Sequence, residues 1–134
     1  MRNTRLSTRT ANRQAQQIAE DLSGGYLDFM AGDRPDSPDD SVSDDFRLSR
    51  NQFAAIAFGA PKNGVLKANQ IAKSVAIKKG EPTWCRCLTK DGEIVMDGTV
   101  GEENANAITK VETLVKGQIV SVTEFTYTVN KQGT

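Results

Sequence analysis

The hydrophobic pattern changes period near residue 24. Before that point Ala11, Ala15, Ile18 and Leu22 recur at spacings of four, three and four, which places them on one face of a helix. Arg, Asn and Gln fill the opposite face. Ser7 or Thr8 can cap the first turn by accepting from its free amides. Gly24-Gly25 supply the left-handed residue that ends a helix. The spacing therefore predicts a helix over residues 7–23. Its apolar stripe is thin, so it must dock on its own β domain or on a neighbouring subunit to persist in water.

Beyond residue 25 the pattern becomes that of short strands. Tyr26–Met30 reads as the first, with Tyr26 alternating against Leu27 and Phe29. Gly32, Pro35, Pro38 and a run of aspartates oppose regular structure, so residues 31–45 read as an acidic loop. Phe46–Phe58 is ambiguous, although FRLS fits a short strand. Val65–Ala68 and Ser74–Ile77 are further strands. Thr83–Thr89 and Glu93–Met96 flank Lys90-Asp91-Gly92, a hairpin whose turn demands positive φ. Asp97-Gly98 reads as a second turn. Ile108–Leu114 reads as a short strand. Gln118–Val129 reads as a long last strand, with Ile119, Ser121, Thr123, Phe125, Tyr127 and Val129 on one face. The expected fold is mainly β: an antiparallel β-sandwich or Greek-key-like domain over residues 26–134. One N-terminal α-helix precedes it as an arm over residues 1–25. Trp84, Phe125 and Tyr127 are the expected core anchors.

Charge adds asymmetry without a net sign. The chain carries 17 basic and 17 acidic residues, which argues against bulk electrostatic binding to nucleic acid or an anionic membrane. Residues 1–13 hold Arg2, Arg5, Arg9 and Arg13 without an acid. Residues 20–45 hold nine acids against Arg34 alone. The arginine row reads as a solvated face or a protein-docking arm, because no aromatic residue interleaves with it. With the apolar stripe it defines a candidate subunit-docking arm: Arg5, Arg9, Ala11, Arg13, Ala15, Ile18 and Leu22. The acidic loop has many oxygens but not the ligand order of a calcium-binding hand, and reads as solvated or as docking on a basic partner surface. The N-terminus lacks the apolar segment of a secretory signal, and no run is long enough to span a membrane.

Little in the sequence supports catalysis or a cofactor. There is no histidine, which removes the commonest general base and zinc ligand together. Asp91, Glu93 and Asp97 cluster, but turn chemistry accounts for the aspartates. Cys85 and Cys87 fall on one face of a strand, too far apart to bond each other. They read as buried packing residues, or alternatively as donors of an intersubunit disulfide. No cofactor or metal is expected.

The order of several blocks carries a resemblance. An N-terminal helix and glycine turn lead to a strand and a Pro/Asp loop. Phe58–Ala72 (FGAPKNGVLKANQIA), a TWxR strand at Thr83, Trp84 and Arg86, and the Asp91-Gly92 hairpin follow. Val95–Gly101 (VMDGTVG) and Gly117–Val129 (GQIVSVTEFTYTV) complete the series. In this order the chain resembles small structural proteins of tailed bacteriophages and prophages. The acidity after the first strand, and the cysteines at 85 and 87, depart from that type. The resemblance implies a non-enzymatic virion component made in the bacterial cytoplasm and present in several copies. It would contact itself and other virion proteins, at the head–tail neck or collar beside portal and connector proteins. A decoration protein on the major capsid protein is the alternative place. A host-glycan-binding β-sandwich is a rival from another class, and it requires an exposed aromatic cluster.

Overall fold

The computed structural model describes residues 4–130. The described residues are mainly β with one α-helix. Helix α1 spans Thr8–Leu22, and the nine strands are β1 (Tyr26–Met30), β2 (Arg47–Gln52), β3 (Val65–Lys67), β4 (Ser74–Val75), β5 (Trp84–Leu88), β6 (Ile94–Gly101), β7 (Ala107–Ile108), β8 (Ile119–Val120) and β9 (Glu124–Thr128).

Ser7 caps α1, its hydroxyl accepting from the Thr10 amide at 3.1 Å. A cap of this kind contributes about 1 kcal/mol. Gly24 ends the helix with φ +72°. The buried helix positions are Ala11, Ala15, Ala19 and Leu22, so Ala19 completes the stripe and Ile18 lies only partly buried beside it. These residues belong to the same core as Leu27, Phe29, Leu66 and Phe125. Alanines let the helix lie close to the sheet: an added Cβ on Gly64 would stand 3.3 Å from that of Ala11. Asn12 Oδ1 accepts from the Gly64 amide at 2.7 Å. The helix is thus built into the domain, its apolar face spent within the chain.

Seven strands form one mixed sheet in the order β2-β1-β5-β6-β7-β9-β3. The remaining two, β4 and β8, make a separate antiparallel ribbon in which Ser74 faces Val120 and Val75 faces Ile119. The β5–β6 hairpin turns as expected at Lys90-Asp91-Gly92. Gly92 has φ +88° and donates to the Thr89 carbonyl, while the Thr89 amide donates to that of Glu93. Positive φ is needed at the glycine alone, as in a three-residue loop closing on a glycine bulge.

The sheet curls until its edges meet. Phe58, beyond β2, bridges Ala68, beyond β3. Phe53 and Phe58 then reach Phe125 on β9, with ring centroids 5.7 and 6.0 Å from it, and Phe53 meets it edge-on. Asn51 ties the ribbon to this body: its buried amide donates to the carbonyls of Ala72 and Val120, each at 3.0 Å.

Three expectations need correction. Asp97-Gly98 is no turn but the middle of β6. Asp97 faces Arg86 across the ladder, and Gly98 faces Cys85, where an added Cβ would stand 3.1 Å from the thiol sulfur. The long last strand is two strands in different sheets. Between them the Ser121 carbonyl accepts from the Thr109 hydroxyl and the Thr123 amide donates to Ile108. The strand expected over Ile108–Leu114 shrinks to β7, which pairs parallel with β6. A parallel pair ordinarily needs a long crossover. Here only two residue pairs are involved, and Asn106 splices the return, accepting from the Thr99 amide and donating to the Thr126 carbonyl.

Candidate functional site

Strands β2, β1, β5 and β6 lie side by side, and one row across them carries four charges. Arg50 faces Asp28, Asp28 faces Arg86, and Arg86 faces Asp97. The signs alternate across the whole row. Alternation along β1 and β5 puts Leu27, Phe29, Cys85 and Cys87 in the core, so Asp28 and Arg86 project from the opposite face. Arg86 holds Asp97 with two bonds, Nε to Oδ1 at 2.7 Å and Nη2 to Oδ2 at 3.1 Å. Arg50 holds Asp28 in the same way at 2.8 and 2.9 Å. Planar fork-to-carboxylate pairing of this type is the strongest form of such a bond.

Aromatic rings complete the row. The Arg86 guanidinium lies 5.2 Å from the ring centroid of Trp84, and that of Arg50 lies 4.9 Å from Tyr26. Bonding to Asp28 raises the pKa of Arg50 above its already high ordinary value, outweighing partial burial. The Arg86–Asp97 pair is the deeper one, with side chains 6 % and 3 % exposed.

The acidic loop folds over this face. The Ala31 carbonyl accepts from Trp84 Nε1, the Gly32 carbonyl from the Thr83 hydroxyl, and the Ala31 amide donates to Phe46. The loop also bonds within itself: the hydroxyls of Ser37 and Ser43 accept from the amides of Asp39 and Asp45. Its six aspartates point to water. Two open pockets remain under it. One of about 430 Å³ is lined by Arg34, Pro35, Asp36, Pro38 and Asp97. The other, about 230 Å³, lies among Asp28, Arg47, Arg50 and Arg86. The most buried charges beside them are paired across the ladder, Asp97 with Arg86 and Asp28 with Arg50, so the row locks four strands together. Among the described residues no three His, Cys, Asp or Glu side chains group to hold a metal ion.

The cysteines lie on the core side of the same strand. Both are free thiols and fully buried. Burial first, then the neighbouring Cys85, pushes the Cys87 thiol well above the ordinary thiol range. An intersubunit disulfide is incompatible with this placement, because a thiol sealed in the core cannot meet one on another molecule. Of the expected anchors, Trp84 and Phe125 are buried and Tyr127 is half-buried; Trp84 packs with the charge row and Phe125 with the phenylalanine cluster. In the docking arm, Arg5, Arg9 and Arg13 are exposed, while Ala11, Ala15 and Leu22 are consumed by the core. Arg2 lies outside the described residues.

The surface feature that sequence reading missed is the outer side of the β4–β8 ribbon. Ala76 and Val120 face inward. Val75, Ile77 and Ile119 face outward and are 49 %, 44 % and 65 % exposed. Val115, in the turn before β8, is 54 % exposed. Exposed lysines rim the patch at Lys73, Lys79 and Lys116. The signal was present in the sequence as two short apolar runs amid lysines, but alternation alone does not say which face is covered. Among the described residues no helix is long and apolar enough to cross a membrane. Compared with known proteins, the chain matches no family model, no curated protein and no solved structure.

Proposed function

We propose that this protein is a non-enzymatic structural subunit of a tailed-phage particle, present in many copies at the head–tail neck. The observation that carries the reading is the exposed apolar row Val75, Ile77 and Ile119 on a ribbon tied rigidly to the domain through Asn51. A contiguous apolar patch with a polar rim is the mark of a protein-contact surface. The inward chemistry agrees with it: the most buried charges are spent on holding strands together, which makes a stiff block. The order of sequence blocks described above supplies the particle. Repetition of such a block turns weak pairwise contacts into a durable assembly.

The test is quantitative mass spectrometry of particles purified from cells carrying the gene. Several copies per portal ring support a neck component. Copies in proportion to the major capsid protein move the subunit to the shell. Absence from purified particles refutes the reading.

A further inference from the structure

We infer that the lysine-rimmed ribbon of one copy docks on the acidic loop of a second copy, in a head-to-tail contact. This deepens the structural-subunit reading and rests on it. The two surfaces match in charge. Exposed Lys73, Lys79 and Lys116 surround the ribbon's apolar row. The loop presents Asp33, Asp36, Asp39, Asp40, Asp44 and Asp45 against Arg34. They match in apolar character too, since the loop ends in Phe46, 48 % exposed, which offers a ring to Val75, Ile77 and Ile119.

The chain cannot satisfy this contact by itself. Its own loop meets the ribbon at Lys78, whose Nζ donates to the Asp45 carbonyl at 2.8 Å. With that bond in place, the apolar row remains bare. A neighbour's loop is the surface of opposite charge that the particle would supply at equal concentration. Passing from one copy's ribbon to the next copy's loop without reciprocation makes the contact heterologous. Such contacts generate rings when the rotation closes.

Charge exchange tests the inference on the purified full chain. Sedimentation velocity up to about 1 mM protein covers the affinity of a weak repeated contact. The wild type should self-associate, and less so as salt is raised. The ribbon variant Lys73→Glu/Lys79→Glu/Lys116→Glu and the loop variant Asp33→Lys/Asp39→Lys/Asp40→Lys should each lose association about tenfold or more. All six positions are exposed, and circular dichroism checks that both variants stay folded. An equimolar mixture of the two should recover association, since each ribbon then finds a loop of opposite sign. A monomeric wild type overturns the inference, as does a mixture that fails to recover or single variants that associate normally. The particle measurement separates the two claims. Abundant copies in particles with a monomeric chain in solution remove the head-to-tail contact alone; self-association without copies in particles removes the virion reading alone.

Discussion

Replacing Arg86 with methionine is the sharpest probe of the interior. The Asp97 carboxylate, with its side chain 3 % exposed, then loses both bonds from Nε and Nη2 and is left charged and buried. Asp28, facing Arg86 on β1, loses a neighbouring cation as well. Breaking a buried pair by removing one partner costs about 3–5 kcal/mol. That is a large part of the roughly 5–15 kcal/mol that holds a domain together. At a urea slope of about 1.5 kcal/mol per molar, the unfolding midpoint should fall by about 2–3 M. Asp97→Asn keeps the shape and one acceptor, so its loss should be nearer about 2–3 kcal/mol. The double variant Arg86→Met/Asp97→Leu removes both charges. It should recover most of the deficit, because an apolar pair of similar volume replaces a buried ion pair at little cost. Equilibrium urea unfolding followed by Trp84 fluorescence measures all four proteins, and the double variant should unfold at a higher midpoint than Arg86→Met alone. A single Arg86→Met loss below about 1 kcal/mol refutes the claim that this pair is closed to water.

Cys87 makes stability depend on pH in the alkaline range. Its folded pKa is raised, so the unfolded chain releases the proton first, and stability present below the ordinary thiol pKa of about 8.5 is lost as pH rises above it. The slope should approach about 1.4 kcal/mol per pH unit and shrink in Cys87→Ala; an unchanged slope in that variant contradicts the assignment. Native protein should resist alkylation at both cysteines and react fully in urea, as peptide mass mapping would read. Asn51→Ala orphans the Ala72 and Val120 carbonyls and should cost about 2–3 kcal/mol in the same urea assay, where a neutral result removes the bracing role. Gly25→Ala would set its Cβ 2.1 Å from the Leu88 carbonyl oxygen and should yield insoluble protein, whereas Gly59→Ala, with open space around it, should express normally.

What could be read from the sequence divides along a physical line. Local signals translated well. The Ser7 cap, the Gly24 stop and the Asp91-Gly92 hairpin are each decided within a few residues, and each stands where the pattern places it. Non-local decisions did not. Asp97-Gly98 has the composition of a turn, but a cation arriving from β5 keeps Asp97 in a strand and leaves room only for a glycine beside Cys85. Alternation runs unbroken through Ser121–Thr123, yet bonds from Thr109 and to Ile108 part the chain between two sheets. The charge row needs Asp28, Arg50, Arg86 and Asp97, which come from four strands; its trace in the sequence is one charge at the centre of each apolar run YLDFM and WCRCL.

The closure of the curled sheet has a consequence for biogenesis. The helix made first is nearly all alanine on its buried face, and it rests against β3, a strand whose ladder partner is β9. Phe53 and Phe58, synthesised midway, find their third ring only in Phe125. The phenylalanine cluster therefore closes only when β9 is in place, although β2, β1, β5 and β6 can pair with one another before it. Closing it is a step of the slow kind that distant pairings impose.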